Sequence, residues 1–99
     1  MTIEKKEDGE RTAFALGGRL DTTTAPKLQE VLIPEIESGN NILLDFTELV
    51  YVSSAGLRVL LLGEKTAKAN GKEQALKAVS DEIMEIFEMT GFADILSFE

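Results

Sequence analysis

The sequence contains no cysteine and no histidine. Without cysteine there is no disulfide and no thiol chemistry, so the hydrophobic core must stabilise the fold unaided. Without histidine there is no imidazole general base and no serine–histidine dyad. Since both residues are missing, a zinc site or another soft-metal site is not expected either. These two absences exclude much of the chemistry that hydrolases and metalloenzymes use.

Basic residues are also scarce, with ten Lys and Arg against eighteen Asp and Glu and a formal net charge of −8. An acidic chain without a basic stripe repels phosphate backbones and anionic lipids, so neither nucleic acid nor a membrane surface is an expected partner. No apolar run approaches the ~20 residues that span a bilayer, and residues 1–8 lack the apolar core of a signal peptide. We therefore expect a cytoplasmic protein.

Glycine and proline are few, at eight and two residues, and 43% of the 99 residues are hydrophobic. This composition argues against disorder, and the length suffices for one core but not for two. We therefore expect a single domain over residues 1–99. Its predicted elements, in chain order, are strands at 2–7 and 11–16, a helix at 25–38, a strand at 42–46, a helix at 54–70, a strand at 74–79, a helix at 81–90 and a strand at 95–98.

The order of these elements is β-β-α-β-α-β-α-β. Alternation of this kind predicts an α/β fold with a mostly parallel sheet covered by helices and an antiparallel edge hairpin. Gly17-Gly18 should end the second strand, and Pro34 should break or kink the first helix near residue 33. The apolar run Ile42–Phe46 is typical of a strand covered on both faces, and a short loop should join it to the second helix.

The junction Ser53-Ser54, between that strand and the second helix, allows two interpretations. One serine can cap the helix, since serine is among the best N-cap residues and contributes about 1 kcal/mol there. A hydroxyl here can also accept a phosphate, because a helix N-terminus presents unpaired N–H groups and the positive end of the dipole. Ala55-Gly56 adds little bulk beside it. The two interpretations are compatible, because a cap residue can be phosphorylated.

Two charged residues lie near this junction. Asp21 follows the hairpin strand in another strand-to-helix loop, where it can cap the first helix, position the Ser54 hydroxyl or repel a phosphate there. Arg58 lies one helical turn after Ser54, where it can pair with a phosphate or remain a solvated cation. Val59 and Leu62, near Arg58, either belong to the core or form an exposed apolar docking patch.

Sequence signatures of enzymes are weak or absent. The residues around Ser54 do not form the G-x-S-x-G elbow of α/β-hydrolases, and no segment matches a phosphate-binding loop or a dinucleotide fingerprint. Asp45 and Glu48 offer a pair of carboxylates, but no other residues build a catalytic constellation around them. We therefore expect no cofactor, no metal and no catalytic residue.

Three motifs resemble those of the anti-sigma factor antagonists, members of the STAS domain family that is shared with the cytoplasmic tails of sulfate transporters. Asp45–Leu57 resembles the family signature, in which an apolar strand leads to Asp/Ser-Ser-Ser/Ala/Thr-Gly-Leu and an apolar helix. Gly18–Asp21 with Thr24-Ala25 resembles the second motif, Gly-x-Leu-Asp followed by Thr-Ala. Glu88–Phe92 with Ile95-Leu96 resembles the C-terminal pattern. The motifs occur in family order over nearly the whole chain.

The resemblance implies a STAS-like domain that acts as a bacterial phosphorylation switch. Unphosphorylated, such a protein binds an anti-sigma factor that is also a serine kinase, and the sigma factor is released. The kinase phosphorylates the serine directly before Ser/Ala/Thr-Gly-Leu, which corresponds to Ser54, and a PP2C-type phosphatase removes the phosphate. Asp21 matches the acid of the second motif. Ser53 stands where many members have Asp, and Arg58 where a small residue is common.

We interpret Ser54 as a helix cap that the kinase phosphorylates. The expected phosphosite neighbourhood and docking surface comprises Asp21, Thr22, Ser53, Ala55, Gly56, Leu57, Arg58, Val59 and Leu62. Two other functions fit the same sequence. A STAS-like scaffold in a signalling or transport-associated complex would use Ser54 only as a cap. A small hydrolase would use Ser54 as its nucleophile, but no general base is visible.

Overall fold

Strands and helices alternate along the chain, and a computed structural model describes all 99 residues. The elements are β1 Thr2–Asp8, β2 Arg11–Leu20, α1 Ala25–Glu37, β3 Asn41–Val52, α2 Ser54–Ala69, β4 Gln74–Lys77, α3 Asp81–Thr90 and β5 Ser97–Phe98, with a 3₁₀ turn at Phe92–Asp94. The strands form one sheet in the order β1-β2-β3-β4-β5. β1 and β2 are antiparallel, and all other neighbours are parallel. The predicted element order and the mostly parallel sheet with an antiparallel edge hairpin are confirmed.

All three helices lie on one face of the sheet. β2 to β5 follow one another in sheet order, so right-handed crossovers place every connecting helix on the same side. Alternate strand residues face these helices and join the helices' apolar residues in one core cluster. The strand residues of that cluster include Phe14, Leu16, Ile42, Leu44, Phe46 and Leu76. Helices therefore cover residues 42–46 on one face only, but Ile42, Leu43 and Leu44 are all buried, as expected for a strand covered on both faces.

The opposite face of the sheet carries an ion pair instead of a helix. Leu43 lies in register between Ala13 and Ala75 and is only 2% exposed. The Arg11 guanidinium, on β2, donates to the Glu99 carboxylate, which follows β5, with Nη1 and Oε2 at 2.6 Å. Because β3 and β4 separate these two strands, the pair crosses the helix-free face and links the hairpin to the far edge of the sheet.

β2 and β3 are both longer than predicted. β2 continues through Gly17-Gly18 to Leu20, and β3 runs past Phe46 to Val52 without an intervening loop. The two strands stay paired over this stretch by shifting register twice, on either side of the glycine pair. The extension places the carboxyl-terminal ends of β2 and β3 side by side, and the chain continues from these ends into α1 and α2.

α1 passes through Pro34 and ends at Glu37, so of the expected break or kink near residue 33 the break is wrong. Pro34 lacks the N–H that would bond the Glu30 carbonyl. Both residues are exposed, so water can satisfy that carbonyl.

None of the helices combines the length and the apolar character that crossing a bilayer requires.

The two C-terminal strands are shorter than expected. β4 stops at Lys77, and Ala78 beyond it has a left-handed backbone with φ of 57°. β5 consists of Ser97 and Phe98 alone, because the N–H groups of Ile95 and Leu96 donate to the Phe92 carbonyl and not to a strand.

α1 and α2 approach each other closely at Gly63. A Cβ at this position would lie 2.9 Å from Leu32 Cδ2 of α1 and would overlap the side-chain amide of Gln74 on β4. Glycine therefore lets α2 pack against α1 and the sheet at the same point. Toward their N-termini, the same two helices border an open groove.

Candidate functional site

The Ser53-Ser54 junction lies beside the carboxyl-terminal ends of β2 and β3. Ser53 has an extended backbone, with φ of −92° and ψ of 176°, and its Oγ accepts a hydrogen bond from the Gly56 N–H at 3.4 Å. Ser53 is therefore the N-cap of α2, and the expectation that Ser54 is the cap is wrong. Ser54 is the first residue of the helix, and its exposed hydroxyl has no hydrogen-bond partner.

The loop that carries Asp21 lies directly against this junction. The Ser53 N–H donates to the Leu20 carbonyl at 2.9 Å. A Cβ on Gly56 would lie 2.9 Å from the same carbonyl oxygen and 2.7 Å from Leu20 Cγ. Glycine at position 56 thus permits the start of α2 to approach the end of β2. Asp21 follows Leu20 and Ser54 follows Ser53. The hydrogen bond between Ser53 and Leu20 therefore brings Asp21 and Ser54 close together.

Asp21 caps the turn that leads into α1. Its Oδ1 accepts from the Thr23 N–H at 3.0 Å and the Thr24 N–H at 3.2 Å. Desolvation raises the pKa of Asp21, but the hydrogen bonds from Thr24 and Thr23 and the Arg19 guanidinium outweigh it and hold the pKa below its usual value. Arg19 Nε lies 3.7 Å from Asp21 Oδ2. Of the roles considered for Asp21, that of an ionised cap is the one this geometry supports.

Replacing Asp21 with Ala is expected to lower the melting temperature by a few degrees at neutral pH, because two N–H groups lose their acceptor. Asp21→Asn keeps an acceptor oxygen and should lose less. Because the folded pKa lies below the unfolded value of about 3.9, the carboxylate stabilises the fold above that value. This stabilisation disappears as the pH falls through the folded pKa.

Circular dichroism melts at about pH 7 and about pH 3 measure this dependence. The difference in melting temperature between the wild type and Asp21→Asn should shrink at the lower pH, which lies below the unfolded pKa of Asp21, so that part of the stabilisation by the ionised carboxylate is lost. An equal difference at the two pH values would contradict the role of the ionised carboxylate.

A groove of about 480 Å³ lies between α1 and α2, beside Ser54. One wall is formed by α1 and the turn before it, and the other by α2. The residues on these walls include Thr22, Pro26, Gln29, Ala55, Arg58 and Leu62. The groove thus brings together predicted docking residues from two separate parts of the sequence.

Burial divides the predicted phosphosite and docking residues into two groups. Exposed or half-buried are Asp21, Thr22, Ser53, Ser54, Ala55, Arg58 and Leu62, and buried are Gly56, Leu57 and Val59. Leu62 is 37% exposed, whereas Val59 is 5% exposed and belongs to the core. Gly56 and Leu57 therefore support this surface from below, whereas Val59, although buried, also lines the groove.

Three exposed residues beside the junction lie outside the predicted site. Val50 is 66% exposed and Tyr51 is 37% exposed. The Arg19 guanidinium carbon lies 4.1 Å from the centre of the Tyr51 ring, and these two residues are in register on β2 and β3. The sequence feature that indicates Val50 and Tyr51 is the run Val50-Tyr51-Val52, whose residue types favour a strand over the predicted loop.

Comparison with known proteins identifies the family. The sequence profile of the STAS domain matches residues 2–99. An anti-sigma-B factor antagonist of Listeria monocytogenes is 33% identical over 101 residues, which cover 100% of this chain and 89% of that protein. An anti-sigma-B factor antagonist of Staphylococcus aureus is 37% identical over 97 residues, which cover 97% of this chain and 90% of that protein.

Solved structures share the fold at lower sequence identity. The anti-sigma factor antagonist SpoIIAA in its unphosphorylated form matches with a TM-score of 0.79 and 17% identity, covering 99% of this chain and 87% of that chain. Bacillus SpoIIAA in the phosphorylated form matches with a TM-score of 0.77 and 18% identity, covering 99% and 91%. The family resemblance of the three motifs is therefore confirmed. The chain belongs to the STAS domain family, alongside the anti-sigma factor antagonists.

Proposed function

We propose that this chain is a phosphorylation-switched binding protein that sequesters an anti-sigma factor and so releases a sigma factor. In this proposal the anti-sigma factor is also the serine kinase that phosphorylates Ser54, and a PP2C-type phosphatase restores the binding form. The relatives named anti-sigma-B factor antagonists support the binding role. SpoIIAA, a protein of the same fold whose structure is known in a phosphorylated form, supports the phosphorylation.

The free hydroxyl of Ser54 carries the proposal. Ser53 supplies the helix cap, so the Ser54 hydroxyl makes no hydrogen bond and is open to the active site of another protein. As the first residue of α2, Ser54 lies beside N–H groups without acceptors in the helix and at the positive end of the dipole. A phosphate on Ser54 is therefore favourable within this chain.

The same phosphate is unfavourable in a complex. It adds a charge of about −1.5 to −2 at the centre of the docking surface. A partner that contacts the neutral hydroxyl would have to desolvate this charge, at a cost of several kcal/mol unless a cation compensates. The complex can therefore dissociate without a large conformational change in this chain.

The surroundings of Ser54 suit a kinase substrate better than an enzyme. The chain contains no histidine. The carboxylate of the adjacent loop, Asp21, already accepts two backbone N–H groups and has a lowered pKa. A base with a low pKa is a poor proton acceptor for a serine hydroxyl. A hydrolase that uses Ser54 would therefore lack a general base.

Incubation with ATP and the serine kinases encoded in the same genome is expected to add a single phosphate, which intact-mass spectrometry detects. Ser54→Ala should abolish this mass shift. Ser53→Ala is the matched control, because it should keep the shift although loss of the cap lowers stability by about 1 kcal/mol. Loss of the shift in Ser53→Ala alone would move the acceptor to Ser53. No shift with any kinase would favour the STAS-like scaffold, in which Ser54 stays unmodified.

A further inference from the structure

Arg58 differs from the other two arginines of the chain because it has no carboxylate partner. Arg11 forms ion pairs with two carboxylates, and Arg19 forms one with Asp21. Arg58 forms neither an ion pair nor a side-chain hydrogen bond, and it is exposed at the second turn of α2. Its guanidinium, with five N–H donors in a planar fork, is therefore available to another molecule or to a new group on this chain.

Arg58 is also the only charged residue that lines the α1–α2 groove. The other lining residues are neutral, and half of the eight are hydrophobic. The chain as a whole has a formal net charge of −8, so a groove without a carboxylate and with a single cation stands out electrostatically. Such a groove is complementary to an apolar partner segment that carries a carboxylate.

We propose that Arg58 is shared between the partner and the phosphate. In the unmodified chain it pairs with an Asp or Glu of an apolar partner segment that lies in the α1–α2 groove. In the phosphorylated chain it pairs with the phosphate on Ser54 and no longer holds the partner. This inference rests on the proposed function, because it assigns a role to Arg58 within the same switch.

The positions of Ser54 and Arg58 on α2 permit this exchange. Helix residues four apart lie on the same side, with about 5–6 Å between their Cβ atoms. The Cα–Cβ bonds of a helix tilt toward its N-terminus, so the Arg58 side chain leans toward Ser54. A guanidinium fork binds one carboxylate or one phosphate with two parallel hydrogen bonds. The phosphate has the higher charge and belongs to the same chain, so it is the stronger competitor.

The phosphate half of the proposal can be tested without a kinase. Phosphoserine is introduced at position 54 during translation by stop-codon suppression, and its second pKa is measured by ³¹P NMR titration. This pKa is expected to rise by about half a unit or more in Arg58→Gln, because the neighbouring cation is lost. Lys65→Gln is the matched control, since Lys65 is an exposed cation without an ion pair about three turns away from Ser54 on the same helix. Equal pKa values in the wild type and Arg58→Gln would overturn the phosphate half.

The partner half is tested with the kinase that phosphorylates Ser54, titrated calorimetrically without ATP. Arg58→Gln is expected to weaken binding about tenfold, and Arg58→Glu should weaken it further. The affinity of the wild type should also fall more steeply with salt than that of Arg58→Gln, because one ion pair is missing in the variant. A purely structural role of Arg58 would not change this salt dependence.

The outcomes separate this inference from the proposed function. Equal affinity of the kinase for the wild type and Arg58→Gln would overturn the role of Arg58, while phosphorylation of Ser54 would still support the proposed function. If no kinase phosphorylates Ser54, the proposed function and the partner half both fail. The ³¹P titration decides the phosphate half in either case.

Discussion

Phosphoserine at position 54 is expected to weaken binding of the anti-sigma kinase by more than about a hundredfold, which corresponds to about 3 kcal/mol. The Ser54 hydroxyl is exposed and unpaired, so a partner can cover it at little cost. A phosphate there brings a charge of about −1.5 to −2 into the interface, and burying that charge without a full counter-charge costs several kcal/mol. Calorimetric titration of the kinase with the unmodified and the phosphoserine protein measures the difference.

Phosphoserine at Ser38 is the matched charge control. Ser38 is the exposed C-cap of α1. It lies near the amino-terminal ends of the parallel strands, away from Ser54, because α1 runs from the end of β2 back to the start of β3. Phosphoserine at position 38 adds the same charge far from Ser54, so the affinity for the kinase should stay within about threefold of that of the unmodified protein. Ser54→Ala should bind as tightly as the wild type and stay bound in the presence of ATP. Equal weakening by phosphate at both positions would contradict a site-specific switch.

Elements with local start and end signals could be predicted from the sequence. α3 is the clearest case, because Ser80 Oγ accepts from the Ile83 N–H at 3.2 Å and Gly91 is the C-cap. α2 begins at Ser54 as expected, since hydroxyl residues precede its apolar pattern. Contacts within a few residues determine such ends, so one sequence contains the necessary information.

The ends of β2 and β3 could not be predicted because they depend on contacts between distant segments. Gly17-Gly18 has the composition of a strand end, but β2 and β3 shift register around it and remain paired to Leu20 and Val52. The pairing partner is not encoded within either segment alone. Val50 and Tyr51 lie in the part of β3 that was not predicted as a strand, so the predicted site did not include them.

The residues of the candidate site were easier to predict than its shape. The two strand-to-helix junctions predicted that Asp21 lies near Ser54, and helical spacing placed Arg58 one turn after Ser54. The structure brings the three segments together where β2 and β3 end. Two adjacent serines have the same capping ability, so the choice of Ser53 as the cap depends on its extended backbone. The groove depends on how α1 packs against α2 at Gly63, and such packing between helices is not visible in either helix alone.

Gly56→Ala is expected to lower the free energy of unfolding by about 2 kcal/mol, although alanine favours a helix over glycine by about 1 kcal/mol. The added Cβ would lie 2.7 Å from Leu20 Cγ and 2.9 Å from the Leu20 carbonyl oxygen. Leu20 is fully buried, and its carbonyl accepts the Ser53 N–H. Separating the two segments would therefore lose core packing and this hydrogen bond. Urea unfolding measures the loss of stability, and titration with the kinase measures the expected loss of affinity as the Asp21 loop moves away from Ser54.

A double-mutant cycle with Leu20→Ala identifies the cause of the destabilisation. Leu20→Ala alone leaves a cavity and should cost about 2–5 kcal/mol, but it also removes two of the three atoms closest to the new Cβ. The double variant should therefore lose less than the sum of the two single variants. Strict additivity, or a Gly56→Ala protein that gains about 1 kcal/mol from helix propensity, would show that α2 has room at this position. The proximity of Asp21 to Ser54 would then depend on contacts other than the close approach that glycine permits.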